Sequence, residues 1–586
     1  MRQWMVAAKK ADFYAIAEKF HVDPVVARII RNREVIGEKN IRIYLGGNLS
    51  DLSDPHQMKD MDRLVEILAQ KIRKQVHIRI IGDYDVDGVT SSHLFLTALR
   101  RVGAKVDVVI PHRIQDGYGL SLHLLQQAKE DGVDTILTCD NGIAAIDEIA
   151  WAKAQKMTVL VTDHHAVPFE EHEGRRTEKK SLADAVVNPH QQDCGYPYKE
   201  LCGAGVAWNV IRVLYENYDM DKREAEDLLD FVAMATVCDV MSLTGENRIL
   251  VKEGLKRIRH TKNIGLQALM QACNVQPENI SAYHFGYVLG PCVNATGRLD
   301  TARHALRLFE TGQETEAEEI ARDLVDLNQE RKELTLQGVE MAKKLCEEGG
   351  YENDPVLVLF LPDVHESIAG LIAGRIREMY NRPVFVLTRG EEGVKGSGRS
   401  TENYSMYENM CGCAELFTKF GGHPMAAGLS LPEENVEKFR RKINGNCPLT
   451  VEEVCPDIHI DMAMPVGYAS TELVHQFALL EPFGKDNPSP LFADRNLSIS
   501  RMWLIGKNRN VLRMSVLSEY GQPVPVIFFG DVETLFAYFT EKFGQKEVEN
   551  ALHGRKNRIL FSMVYTAKID FYQGNENLQL EMKYYR

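Results

Sequence analysis

Paired cysteines, long apolar runs and an excess of positive charge are all missing from this chain, and each absence narrows its chemistry. Eleven cysteines are scattered over 586 residues. No CxxC spacing occurs, and the nearest pair, Cys411-Gly-Cys413, is too isolated to read as a zinc site. Free thiols such as Cys139, Cys202, Cys238 and Cys292 fit a reducing cytoplasm, not a disulfide framework. No segment has the apolar length that a membrane span needs, and the N-terminus lacks a signal-peptide pattern, so a cytoplasmic location is expected. The formal net charge is −14. A protein that grips long duplex DNA without sequence preference is usually basic, so any nucleic-acid contact here has to be a local basic groove in an acidic body.

What is present begins with Ile81-Gly82-Asp83-Tyr84-Asp85-Val86-Asp87-Gly88. Three carboxylates at alternate positions follow a short β-branched run, Val76–Ile81, that reads as a buried strand. Acids this close repel one another, and a divalent cation with hard oxygen ligands removes the repulsion. Taken alone, the pattern also fits an ordinary acidic turn.

Two more apolar runs end in the same way. Asp134–Cys139 leads into Asp140-Asn141-Gly142, and Met157–Thr162 into Asp163-His164-His165. The intervening segments, Ser121–Asp131 and Ala144–Lys156, are long enough for helices. Alternation of strand and helix predicts a parallel α/β sheet, whose strands present their carboxyl ends on one edge, where such sheets bind ligands. Three strand ends then deliver acids and imidazoles to one rim, and a metal site becomes the better reading.

The length suggests about three to four domains. Residues 1–75 read as an N-terminal helical segment, with Asp60–Arg73 an amphipathic helix. Residues 76–300 form the first α/β domain. In it Val106–Pro111 is a strand that closes on Arg113 and on Tyr118 between two glycines; Arg113 has the reach for a phosphate and Tyr118 offers a stacking face, although an ordinary strand-to-helix turn also fits. Leu201–Val206 opens a helix with small residues. The helix through Glu224–Cys238 ends at Asp239, where an acid meets the partial negative charge of a helix C-terminus. A cation is the simplest partner for it, although Asp in a post-helix turn is common.

Asn294–Leu299 precedes a long charged helix over about 301–350, read as a linker. A second α/β unit spans 351–450, with strands Pro355–Leu361 and Val384–Leu387 and a helix starting at His365. Its glycine-rich stretches Lys395–Ser400 and Phe420–Gly428 suit an anion pocket, in which backbone N–H groups approach closely and Arg399 forks onto phosphate oxygens. Glycines serving sheet turns are the alternative, and neither stretch has the GxxxxGK[ST] pattern of a P-loop. From 451 to 586 short β-like runs (Leu497–Ile505, Val511–Leu517, Val524–Phe529, Ile559–Lys568, Leu578–Lys583) are compatible with a small closed barrel such as an OB-fold. Trp503, Phe528, Phe529 and Tyr572 could stack bases there, with Lys507, Arg509 and Arg513 along the backbone path; one or two of the aromatics are expected to face a strand and the rest to be core.

Gly82–Gly88, Asp140–Gly142, Asp163–His165 and Ala235–Asp239 resemble, in order, the motifs of the DHH phosphoesterase superfamily. Asn294–Leu299, Lys395–Ser400 and Gly421–Gly428 resemble those of its RecJ branch with the associated DHHA1 domain. The similarity runs from about residue 40 to the end. It implies two α/β lobes, DHH and DHHA1, joined by a long helix and followed by an OB-like barrel. It also implies a 5′-to-3′ exonuclease on single-stranded DNA, acting in recombination and repair. By position, the implied metal ligands are Asp83, Asp85, Asp87, Asp140, His164, His165 and Asp239, with Asp163 orienting a neighbouring ligand. Arg113, Ser397 and Arg399 become a pocket for a terminal 5′-phosphate, with Arg298 and His423 near the scissile group. Two positions depart from the pattern: Ile81 stands where relatives often have His, and Val364 where many have Trp.

The expected mechanism uses two cations, manganese or magnesium, bridged by a shared carboxylate, Asp140 or Asp85, that activate water for an in-line displacement at phosphorus. The residues expected at the chemistry are Asp85, Asp140, His164 and His423. Imidazole ligands tilt the metal preference towards manganese. Partners expected beside the strand are a helicase and a single-strand-binding protein, with the chain a monomer. Two rival readings are a DHH phosphoesterase for pyrophosphate, cyclic dinucleotides or short oligonucleotides, and a non-catalytic scaffold on a DHH core.

Overall fold

The β-branched runs of the first domain pair as five parallel strands: β1 (His77–Ile81), β2 (Lys105–Val109), β3 (Thr135–Cys139), β4 (Thr158–Thr162) and β5 (Ala185–Val187), in the spatial order 2-1-3-4-5. This is a computed structural model, which describes residues 3–586 apart from 113–115, 117–118, 173–174, 300–301, 391–392, 507–508 and 573. Arg113, Tyr118 and Lys507, singled out above, lie outside the described residues, as does the side chain of Tyr572.

Alternate residues of each strand feed opposite cores, as the pleat requires. Ile78, Ile80, Leu137, Cys139 and Leu160 pack with the helices Met61–Arg73, Val86–Arg101 and Gly203–Asn217. Ile81, Ile136, Val159 and Val161 pack with Leu122–Glu130 and Ile146–Ala154. Covering both faces explains why the strands read as unbroken apolar runs. The chain leaves β1 to build β2 on one side and returns to build β3 on the other. The crevice that a doubly wound sheet opens at such a reversal therefore lies at the carboxyl ends of β1 and β3.

Residues Asn48–Pro456 form one compact unit, and Gln3–Gly47 joins Asp457–Arg586 in a second. Within the first, the expected single linker helix from about 301 is two helices, Ala302–Glu310 and the 35-residue Glu314–Glu348. Thr311 Oγ1 accepts from Gln313 N–H and breaks the run at Gly312. Likewise the expected helix over Glu224–Cys238 is a short turn, Arg223–Glu226, followed by Leu229–Cys238.

The second α/β sheet consists of β6 (Leu357–Phe360), β7 (Val384–Gly390), β8 (Gly393–Arg399), β9 (Lys419–Gly422) and β10 (Ala426–Leu431), in the order 9-10-8-7-6, with only β6 and β7 parallel. Lys395–Ser400 is therefore mostly strand. Its backbone forms ladders with β7 and β10 on either side, which corrects the expectation of N–H groups cradling an anion. Its glycines serve packing: a Cβ on Gly396 would lie 2.4 Å from a Leu387 methyl, and one on Gly398 2.5 Å from the Met406 sulfur.

In the second unit, strands β11 (Phe492–Ile505), β12 (Val511–Leu517), β13 (Pro523–Phe528), β14 (Leu560–Tyr572) and β15 (Asn575–Tyr585) pair in the order 11-12-13-15-14, and β14 returns to β11 to close a barrel. The expected separate helical segment over 1–75 is divided. Met61–Arg73 packs on the first sheet, whereas Phe13–Phe20, Pro24–Asn32 and Glu38–Gly46 share the barrel's core through Val26, Ile30 and Tyr44. Arg33 forks onto both carboxylate oxygens of Asp461 at 2.7 and 3.1 Å, with both side chains buried. Because removing one member of a buried pair strands the other charge, Arg33→Ala should destabilise this unit by about 3 kcal/mol. Urea unfolding followed on the barrel's tryptophan Trp503 measures it; a loss within error of zero would contradict the shared core.

Candidate metal centre

Each acidic motif sits where a strand or helix ends, and the ends converge. Three groups of side chains bring their ligand atoms within 4.8 Å of one another: Asp83 with Asp85 and Asp140, Asp140 with His164 and His165, and Asp87 with His164 and Asp239. Asp140 belongs to two of the groups, as a bridging carboxylate would. Nε2 of His164, which is buried, faces oxygens of Asp140, Asp239 and Asp87 at 3.1, 3.6 and 3.7 Å, yet makes no hydrogen bond.

Local structure explains how the acids are held. Asp85 caps the helix Val86–Arg101, its Oδ1 accepting from the N–H groups of Asp87 and Gly88 at 2.9 and 3.1 Å. That leaves Oδ2 for a cation and makes Asp140 the better bridge. Asp87 accepts from Gly203 N–H and Ala204 N–H at 2.6 and 2.7 Å, so both its oxygens lie at the N-terminus of the helix Gly203–Asn217, whose partial positive charge offsets a buried acid. The small-residue run at Leu201–Val206, read above only as good for packing, thus has a direct electrostatic part. A Cβ on Gly203 would lie 2.6 Å from that of Asp140. Asp140 adopts a left-handed φ of 61° at the end of β3, and Asn141 locks the turn by donating to the carbonyls of Ile81 and Cys139 at 3.0 and 2.8 Å.

Asp163 is buried and saturated. Oδ1 accepts from the N–H groups of His164 and His165 at 2.7 and 3.0 Å and faces His165 Nδ1 at 2.8 Å; Oδ2 accepts from Ile143 N–H at 2.9 Å. It fixes the backbone of both histidines and holds the His165 ring. Asp239 follows the last turn of Leu229–Cys238, and Val240 beside it takes a left-handed φ of 55°. That conformation is costly for a β-branched residue, and such strain is typical of functional sites.

The electrostatics fit a cation. Burial, then the charges of Asp87, Asp85, Asp239 and Asp83, hold the Asp140 carboxyl well above its usual range. Burial and Asp87 raise that of Asp85. Burial, against the pull of Asp87, lowers the pKa of His164 and favours the neutral ring, the form that ligates. Acids that resist ionising beside a neutral imidazole are what a divalent ion would relieve, and O and N donors suit manganese or magnesium.

A second cluster is reached through the helix Gly290–Leu299. Asn294, whose role the sequence did not reveal, accepts from Val86 N–H at 3.2 Å, and a Cβ on Gly297 would lie 2.5 Å from the Tyr84 carbonyl oxygen. Arg298 donates to the carbonyl of Ser367, at the start of the helix Glu366–Tyr380. Gly370 on that helix abuts Ser397 Oγ and Arg399 Nη2, each 2.8 Å from where its Cβ would be. Arg399 itself donates to the Gly398 carbonyl at 2.8 Å and to Ser397 Oγ at 3.3 Å. Strand pairing sets Arg399 opposite Ala426, whose carbonyl accepts from His423 N–H at 2.8 Å; His423 is exposed in the β9–β10 turn. Ile81, one of the two departures noted, is buried in the core under the sheet and points to no ligand atom. In the barrel, Phe529 is exposed and Trp503 half-buried, paired across strands with Arg513, whereas Phe528 is core, against the stacking role considered for it.

A parallel sheet with an acid-and-imidazole edge, tied by one helix to a mixed sheet, is the architecture of the DHH phosphoesterases. The family models agree: the N-terminal domain of the DHH family matches residues 77–236, the DHHA1 domain 353–447 and the RecJ OB domain 460–584. The chain is 32% identical over 582 residues to the single-stranded-DNA-specific exonuclease RecJ of Haemophilus influenzae, covering 96% of both. It is 32% identical to that of Bacillus subtilis over 87% of this chain and 63% of the relative. The crystal structure of RecJ in complex with Mn2+ from Thermus thermophilus superposes with a TM-score of 0.79 at 25% identity, over 100% of this chain and 79% of that one. The chain belongs to the RecJ family.

With cations removed, burial pulls the pKa of His165 down, but the Asp163 contact and the charges of Asp163, Asp239 and Asp87 outweigh it and raise the pKa from 6.5 to about 9. A raised folded-state pKa stabilises the fold fully below pH 6.5, and the gain fades as pH rises through about 9. Asp163→Asn should return His165 towards its ordinary value in a histidine NMR titration run in chelator. An unmoved titration would contradict the orienting contact.

Proposed function

We propose that this chain is a metal-dependent exonuclease that degrades single-stranded DNA from the 5′ end to mononucleotides, in recombination and repair. One observation carries this reading: the shared-carboxylate cluster around Asp140 and His164, in a chain that also holds the DHHA1 and OB modules of the family. Two divalent cations, manganese or magnesium, would be held by Asp83, Asp85, Asp87, Asp140, His164, His165 and Asp239, with Asp87 also joining the helix N-terminus to the cluster. When bound, they supply acidity to water and offset the charge that develops at phosphorus.

The chain's own residues do the rest. Asp163 keeps His165 aimed and the backbone of His164 in place, and the helix N-termini compensate the charges of Asp85 and Asp87. Arg298 and His423 would act near the scissile phosphate, and Arg113, Ser397 and Arg399 would take the terminal 5′-phosphate, with Tyr118 a further contact to the DNA. A guanidinium beside a hydroxyl suits a dianionic end. Holding that end fixes cleavage one nucleotide in. Trp503, Phe529, Arg509 and Arg513 offer stacking and charge to an unpaired strand. The OB module favours this reading over a small-substrate phosphoesterase, which would not need it.

A helicase and a single-strand-binding protein are the partners such an enzyme would use, and a cytoplasmic monomer is the form we propose. Among the described residues, no helix is long and apolar enough to cross a membrane.

Two substitutions test the scheme. Asp140→Ala should cut nuclease rate by about a thousandfold, roughly 4 kcal/mol, while single-strand binding survives. An end-labelled single strand followed in manganese and in chelator measures it, and activity that persists in excess chelator excludes the scheme. Arg399→Ala should slow 5′-phosphorylated ends more than 5′-hydroxyl ends; equal loss on both would remove Arg399 from the phosphate pocket.

A further inference from the structure

A cavity of about 890 Å³ lies in the first unit, at the far end of the helix whose start carries Asp85 and Asp87. Its volume is in the range of small-molecule sites. His93, Phe231 and Phe309, each at most 5% exposed, line its floor, with the His93 ring centroid 4.5 Å from Phe231 and 5.8 Å from Phe309. His93 is 5% exposed and its Nδ1 is buried without a hydrogen-bond partner. Such orphaned groups are rare in folded chains and call for a ligand or a special role. Burial also holds this imidazole neutral, its pKa pushed down to about 3, so it can exchange hydrogen bonds without carrying charge.

The rim carries both signs: Arg100, Arg101, Lys256, Arg257 and Lys262 stand among Asp227, Glu253 and Glu310, and Lys256 is held by Glu253 at 2.6 Å. Arg101 and Arg257 are committed to Glu224 and Glu226. Arg100 has no carboxylate in ion-pair distance among the described residues, and Lys262, 91% exposed, makes only a 3.8 Å contact with Asp227. Asp230 on the wall is fixed by Thr261 Oγ1 at 2.6 Å and by Phe231 N–H at 2.8 Å, so it presents a held acceptor. An aromatic floor, a polar wall and two available cations at the mouth match one ligand chemistry: a heterocyclic base carrying a phosphate.

We propose that this cavity binds a mononucleotide, with the base on the floor formed by His93, Phe231 and Phe309 and the phosphate at Arg100 and Lys262. The ligand is of the product class of the nuclease proposed above, but binding does not depend on that activity. At 1.5 Å per residue His93 is about 12 Å along its helix from Asp85, so the site is separate from the metal centre. Its walls include that helix, residues 227–231 and 253–264, and the Thr311–Gly312 turn that leads into the 35-residue helix Glu314–Glu348. An occupant therefore touches both the element that positions the metal ligands and the one that runs to the DHHA1 sheet.

Calorimetric titration of the full chain with 5′-dAMP in excess chelator tests the site with metal-centre binding suppressed. A saturable site that persists in Arg399→Ala, where the phosphate pocket proposed above is disabled, is expected, and in that background the paired change Arg100→Gln and Lys262→Gln weakens it at least tenfold. Photocrosslinking with 8-azido-dAMP on the unmodified chain, mapped by peptide mass, should label residues 93–101 or 256–264 and covers the case of a variant that does not fold. No binding, equal affinity for inorganic phosphate, loss of binding in Arg399→Ala alone, or a label confined to the 397–423 region would each overturn the assignment. Absence of nuclease activity beside intact dAMP binding would count against the function proposed above and leave this site standing.

Discussion

Mutual repulsion among Asp83, Asp85, Asp87, Asp140 and Asp239 is the force that the first domain has to restrain. At 4 Å two unit charges repel by about 4 kcal/mol at an effective dielectric of 20, and several such pairs meet here. Part of the answer is local: the start of Val86–Arg101 takes one oxygen of Asp85, and the start of Gly203–Asn217 takes both of Asp87. Asp140 gets no such helix end, and burial with four neighbouring acids drives its carboxyl upwards. A bound cation would offset that charge, and the donor set of acids and imidazoles around Asp140 suits one.

The same constraint shapes residues that never touch a metal. Gly203 exists so that a helix can come within contact of Asp140, and Gly297 so that Gly290–Leu299 can lie on the Tyr84 carbonyl. That helix touches the acid-bearing turn through Asn294 and the DHHA1 helix through Arg298. A chain of hydrogen bonds and close contacts thus links the acid cluster to Ser397 and Arg399.

Much of this was legible in the residues. Four strands of the first sheet, their carboxyl-edge acids and the five runs of the barrel all carry their own signal, because each strand has at least one face in a core. What was hidden depends on distance along the chain or on residues without side chains. Val26, Ile30 and Arg33 belong to a core more than 400 residues away, so no local pattern could separate them from Met61–Arg73. The strand Gly393–Arg399 has three interior or edge glycines that give no hydrophobic signal, and it read as a phosphate-cradling turn. The clamp on Asp87 is made by backbone N–H groups, which any sequence carries; only the glycine at 203 hinted at it. Phe528 looked like a stacking residue because composition does not say which face of a barrel strand is inside.

The central claim, that separate strand and helix ends converge to hold a pair of cations, is tested most directly by counting them. Chelator-treated chain titrated with Mn2+ by calorimetry, with bound metal quantified after dialysis, should take up two ions per chain and melt at a higher temperature when loaded. A chain that retains no manganese, and whose melting is indifferent to it, would contradict the account.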